Sequence, residues 1–352
     1  MTEAYDKRVR GATGEHGGTM EGRIQRWDNI KFVLIFLVVL GHVCDHYVKE
    51  SALIRTMWIC IYSFHMPLFF FIAGLFSKRK IDGRQYTRIF PYFAMYVVSQ
   101  ILLLLSKMLF VNQYSIELLD TKDAPWFIFV LFFFYLITIV IRRFDHRYIL
   151  VGSVLLACMA GYDESIGDTL QMARMVTFYP CFYLGYIMDE GTVRRKLSGR
   201  KWMVVSWLLI LIGIAVVYQN IDVVYKIRPL LTGRNAFSRL KGMMYPLGAL
   251  MRTGQYLLAL VVGAMVIAAV PEKLAGGKLA TLGRRSLQIY LLHRPCIVLL
   301  VNKLNISEVL YKIWPAHYHL LFAMVALLIT MFCSLKLFEK PIRIVITPRM
   351  RM

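Results

Sequence analysis

Long apolar runs, separated by short polar and often basic stretches, recur along the chain from Lys31 to Phe338. Ten of them predict helices that meet a bilayer: 31–48, 57–77, 89–111, 126–141, 148–161, 175–188, 202–219, 253–270, 286–301 and 318–338. In hydrocarbon every backbone polar group needs a partner within the protein, so apolar runs of this length are helical. The runs at 148–161 and 175–188 are short for a full crossing and are expected to be thin or tilted. The pattern predicts an all-α, polytopic membrane protein of about ten transmembrane helices, without an internal repeat or a soluble domain.

Composition fits that pattern: 58% of residues are hydrophobic and 18% charged, with a mean hydropathy of +0.56. A net charge of +21 raises nucleic acid as a partner, but its distribution argues against one. With the amino terminus inside, the inner segments hold twice as many lysines and arginines as the outer ones. This is the bias that orients membrane proteins, and it places both termini in the cytoplasm. A bacterial inner (plasma) membrane is the expected location, with lipid and not nucleic acid as surroundings. The first 22 residues are polar and glycine-rich without an apolar core, unlike a signal peptide. Residues 1–25 are read as a flexible cytoplasmic tail, 26–341 as the transmembrane domain, and 342–352 as a basic cytoplasmic tail. All six cysteines lie in apolar runs without CxxC spacing and are read as buried thiols.

Candidate chemistry begins in Arg26–His46, where a basic and aromatic lead-in enters an apolar helix carrying His42, Asp45 and His46. At helical rise Lys31 and His42 are roughly 16 Å apart, which sets an imidazole near mid-membrane and a cation at the rim. An ionisable group at that depth is a functional-site hypothesis. His65 falls about 12 Å below the start of the next span, at similar depth, and Pro67 breaks the helix beside it. Asp45 and His46 follow His42 at i+3 and i+4; Asp45 either orients the ring or marks the end of the helix. His42-x3-His46 also has metal-ligand spacing, but no Glu base follows the first histidine and the third ligand would have to come from another helix. No metal is expected.

Further cations cluster after the second span, at Lys78, Arg79, Lys80, Arg84 and Arg88. Arg174 precedes a break at Pro180, and His293-Arg294-Pro295 interrupts the ninth run. The segment 220–252 interleaves Arg228, Arg234, Arg239 and Lys241 with Tyr225 and Tyr245. It suits a carbohydrate or an anionic glycan, or equally a solvated loop meeting lipid headgroups. Trp126 is read as an interfacial belt residue.

Six motifs in order along residues 26–341 resemble the acyltransferase-3 family of membrane O-acyltransferases, nearest its fucose 4-O-acetylase-like branch. They are R-x-D at Arg26–Asp28, basic-x10-His at Lys31–His42, FHMPLFFFIAG at Phe64–Gly74, RIFPY at Arg88–Tyr92, R-x5-P-x-F-x-L-G from Arg174 to Gly185, and LGRRSLQIYLLH at Leu282–His293. The resemblance implies transfer of an acyl group, usually acetyl, from cytoplasmic acyl-CoA to a hydroxyl of a carbohydrate or glycolipid, with no permanently bound cofactor. The motif histidine maps onto His42 and the motif cation onto Lys31, where many members carry Arg and its bidentate fork. A second departure is Gln85, where members often have the first Arg of R-x-x-R.

Histidine suits the base for a hydroxyl proton. The expected donor contacts are Lys31, Arg84, Arg88 and Arg26, with the acceptor or a polar cavity at Arg174, His293, Arg234 and Arg239. His65 and His293 are candidates for oxyanion donors or acceptor contacts. The rival reading is a proton-coupled transporter or flippase, which intramembrane His, Asp and Arg also fit.

Overall fold

The computed structural model describes residues 20–113, 123–240, 242–272 and 277–346. The described residues contain helices and no strands. Each of the ten apolar runs forms one principal helix. They are α1 Met20–Cys44, α2 Ala52–Leu75, α3 Phe90–Val111, α4 Trp126–Ile141, α5 His146–Ala160, α6 Met172–Ile187, α7 Arg200–Gln219, α8 Gly248–Ala269, α9 Ser286–Ile297 and α10 Tyr318–Cys333. Most of the expected tail 1–25 lies outside the described residues, and α1 already begins at Met20. The expected tail 342–352 starts within a helix, Glu339–Ile346, and its remainder is outside them.

Among the described residues five helical stretches are long and apolar enough to cross a membrane: Gln25–Cys44, Ala52–Leu75, Tyr86–Val111, Arg200–Gln219 and Gly248–Ala269. Tyr318–Cys333 with Lys336–Ile342, bent by 45°, makes a sixth if the pair is one span. The 16 residues of α4 and of α6 rise only about 24 Å, short of a core of about 30 Å. The outer surface is apolar in the way lipid requires. α7 is almost wholly exposed and presents Trp207, Leu208, Leu211 and Ile212. α3, α5 and α8 add Leu109, Leu155 and Leu257.

Inside, α1 and α2 are the central pair. α2 packs against α6, while α9, α10 and the short helix Lys278–Arg284 pack on α1. Phe70 of α2, Phe134 of α4 and Phe178 and Phe182 of α6 are buried in one aromatic cluster. α2 is capped by Ser51, whose hydroxyl accepts from the Ile54 amide. Pro67 in α2, Pro180 in α6 and Pro295 in α9 stand in helix interiors, past the first turn. Each removes an amide and deprives the carbonyl one turn earlier of its bond. After Pro295 the chain continues as a π-helical turn, Val298–Lys303.

Candidate active site

His42 sits in the last turn of α1, with its Nδ1 3.2 Å from Asp45 Oδ2. Asp45 opens the 3₁₀ turn Asp45–Tyr47, and its Oδ1 accepts from the Trp58 indole N–H of α2 at 3.2 Å. A carboxylate only accepts, so the neutral imidazole carries its proton on Nδ1 and keeps the Nε2 lone pair free. The sequence left two roles open for Asp45, and the structure places its carboxylate in contact with the His42 ring. The side chain of His46 is outside those described, so the His42–His46 spacing carries no geometry.

His42 borders a cavity of about 580 Å³. The cavity is lined by Lys31, Lys80 and Arg284, by His42 and His65, and by Arg174, Arg228 and Arg234. The Trp27–Phe76 contact sets the first group at the Lys31 end of α1, and the Arg228–Trp58 and Trp58–Asp45 contacts set Arg228 at the other. Lys31 and Arg284 meet at Asp28, which is buried and lies 2.6 Å from Lys31 and 3.9 Å from Arg284. A Cβ at Gly283 would enter the Asp28 carbonyl, so the R-x-D and LGRR motifs meet at a contact only glycine permits. Lys80 donates to Tyr92 Oη at 2.5 Å and Tyr135 Oη at 3.3 Å. Across from them, the Trp58 and Tyr62 rings stack at 3.8 Å and Arg228 lies over Trp58 at 4.9 Å. Arg234 is paired with Asp168.

Several expected site residues lie elsewhere. Arg26 is buried and does not line the cavity. It donates to Ser198 Oγ, to the Leu197 carbonyl at 2.8 Å and to the Ile267 carbonyl at 2.6 Å, tying α1 to the chain after α6 and to α8. The guanidinium thus ties three segments together, while its Nε has no hydrogen-bond partner among the described residues. Arg84, Arg88 and Arg239 are exposed and off the cavity lining. His293 is fully buried behind His42, with ring centroids 5.6 Å apart, instead of facing the cavity. Arg174 does line it, over the Trp126 ring at 4.6 Å. Trp126 is therefore a wall of the cavity and not only a belt residue.

His65 and His293 each turn Nδ1 to a carbonyl, Ile61 at 2.7 Å and Tyr290 at 2.8 Å. Carbonyls accept, so both neutral rings leave Nε2 as an acceptor, which disqualifies them as oxyanion donors in that state. The sequence reasoning passed over Trp58, Tyr62, Arg284 and Tyr290 as site residues and read Arg228 only as part of the 220–252 segment; all five are in the lining. Helical period was the available signal for two of them: Trp58, Tyr62 and His65 follow one another at i, i+4 and i+7 along one face of α2.

A family model described as an acyltransferase domain matches residues 24–336. This chain belongs to the acyltransferase-3 family. The matched range is close to the 26–341 read from the sequence as the transmembrane domain. Among curated proteins, Nodulation protein NolL of Mesorhizobium japonicum (strain LMG 29417 / CECT 9101 / MAFF 303099) is 26% identical over 205 residues. Those residues cover 52% of this chain and 53% of that protein, so the chain matches about half the length of its curated relative. No solved structure matches.

Proposed function

We propose that this protein is an integral membrane O-acyltransferase. It moves an acyl group, acetyl by the family resemblance, from cytoplasmic acyl-CoA to a hydroxyl of a cell-surface or exported carbohydrate. In this reading the ten helices are ten crossings of a bacterial inner membrane, the Lys31 end of the cavity is cytoplasmic, and both termini share that side. The branch is that of the fucose 4-O-acetylase-like enzymes. The observation that carries the proposal is a single cavity that touches the His42–Asp45 pair midway and a cluster of cations at one end.

The phosphates of the donor lie against Lys31, Lys80 and Arg284, and Arg84 and Arg88 extend the positive field over the adjoining surface. The pantetheine arm then runs along the roughly 16 Å that α1 rises between Lys31 and His42, delivering the thioester beside the imidazole. His42 Nε2 takes the proton of the acceptor hydroxyl, and Asp45 stabilises the resulting imidazolium and holds the ring. At the far end Arg174, Arg228 and Arg234 offer donors to sugar hydroxyls, against a wall that includes Trp58, Tyr62 and Trp126. His65 presents an acceptor nitrogen to the sugar hydroxyls.

A cavity reaching from one basic end to the other also suits a proton-coupled transporter or flippase of a glycan or small solute. Proteoliposomes loaded with carbohydrate and given acetyl-CoA labelled in the acetyl group separate the two. Label on the carbohydrate is the expected result; movement of carbohydrate without label would establish transport instead.

A further inference from the structure

A tetrahedral intermediate needs a hydrogen-bond donor where the thioester carbonyl oxygen becomes negative. The histidines do not supply it: His42 is the base, and His65 and His293 keep acceptor nitrogens. The Tyr290 hydroxyl is spent on the Ala124 carbonyl, and Arg174 donates to Gln171. Arg228 and Arg234 enter from the segment after α7, and none of their ion pairs, hydrogen bonds or ring contacts among the described residues reaches α1.

Tyr62 is placed differently. It lines the cavity on α2, and its ring meets His65 edge-on at 4.9 Å. The stack on Trp58 fixes the plane of the phenol, and the Trp58 N–H in turn holds Asp45, the partner of His42. A Cβ built on Gly41 would lie 3.4 Å from Tyr62 Cε2 and 3.8 Å from its Oη. The hydroxyl therefore rests against α1 one residue from the base. Among the described residues it has no hydrogen-bond partner.

We propose that Tyr62 is a catalytic residue, its hydroxyl donating to the oxyanion of the acyl-transfer intermediate. The proposal rests on the acyltransferase reading above. As the acceptor oxygen bonds to the thioester carbon, its proton passes to His42 Nε2 and the carbonyl π pair moves onto oxygen, where the Tyr62 O–H meets it. When the pair returns, the C–S bond breaks and the CoA thiolate recovers the proton from His42. The products are ester and free CoA, with the tyrosine unchanged.

The test compares wild type, Tyr62→Phe and a form with 3-fluorotyrosine at position 62, each assayed for CoA release from acetyl-CoA in membranes that carry the native acceptors. Tyr62→Phe is expected to lower kcat by about 10²–10³-fold, the loss typical of one missing oxyanion donor. The KM for acetyl-CoA, and acetyl-CoA binding by calorimetry, should stay within twofold, which shows that the site has folded. The fluorinated form should differ from wild type in kcat, because the acidity of the phenol sets its strength as a donor. A Tyr62→Phe kcat within threefold of wild type, or a rise in KM alone, overturns the role of Tyr62 while leaving the acyltransferase reading standing. Wild-type membranes that release no CoA overturn both.

Discussion

Gly74 of α2 and Gly185 of α6 lie against each other's helices so closely that a Cβ on either would enter opposing backbone, at the Phe182 carbonyl and the Phe71 carbonyl respectively. Both close a motif read from the sequence, FHMPLFFFIAG and R-x5-P-x-F-x-L-G. Small residues let helices approach where hydrocarbon gives no hydrophobic drive for association. Backbone cannot rotate away as a side chain can, so Gly74→Ala or Gly185→Ala forces α2 and α6 apart. The expected cost is about 1–3 kcal/mol, in the range for overpacked cores. Thermal unfolding of the detergent-purified variants checks this, and an unchanged midpoint would show the crossing to be loose.

The His42–Asp45 contact predicts a loss in turnover and not in donor binding. Asn at position 45 can donate its amide to Nδ1, which moves the imidazole proton to Nε2 and removes the base. Asp45→Asn should lower kcat by about 10²-fold or more, with KM for acetyl-CoA within twofold. Steady-state kinetics on the purified variant decide it, and a rise in KM with kcat intact would assign Asp45 to binding.

The donor end makes a prediction that separates two kinds of cation. Arg284→Glu and Lys31→Ala should each raise the KM for acetyl-CoA by about tenfold, the value of one charge-assisted contact of roughly 1.4 kcal/mol. Arg284 is exposed, so its effect should shrink as salt is added. Arg88→Glu, off the lining, should raise KM less. Arg26→Ala should reduce the yield of folded protein and leave the KM of what remains unchanged, since its donors serve carbonyls.

Asp123, in the segment before α4, is held by Arg294 through paired contacts and lies 3.4 Å from Lys107. Burial pushes its carboxyl up, but the Arg294 guanidinium outweighs burial and holds it below the usual carboxylate range. A carboxyl lowered by folding adds stability that is complete above its unfolded value, near 3.9, and is lost as pH falls below that value. Asp123→Asn removes the term and leaves Arg294 without its carboxylate, at a cost on the order of 3 kcal/mol at neutral pH. Unfolding midpoints from pH 6 down to 3 should fall for wild type more steeply than for the variant; parallel curves would contradict the account.

Much of the fold was legible because each apolar run is dense and bounded by charge, so every run became one helix. His42 was legible for a related reason, as an imidazole far along an otherwise apolar stretch. What one helix says about another was not legible. Arg26 reads as a rim cation until residues 197–198 and 267 return to it with their carbonyls. His293 sits among polar neighbours in sequence, yet the rotation of α9 turns it behind His42. Trp58 and Tyr62 carried a signal in their spacing from His65, but aromatic residues are so frequent in these helices that the period acquires meaning only once α1 lies across it. Arg284 comes from a short connecting helix and Arg228 from the long segment between α7 and α8, and the positions of both depend on helices far away in the chain.

The central claim is that His42 is the proton acceptor for acyl transfer in this cavity. It is tested most directly by CoA release from acetyl-CoA in membranes holding equal amounts of folded wild type and His42→Ala, with matched unfolding midpoints. The account predicts steady release by wild type and a loss of at least about 10³-fold in the variant, within the reach of general-base removal. Turnover by folded His42→Ala at the wild-type rate would contradict it.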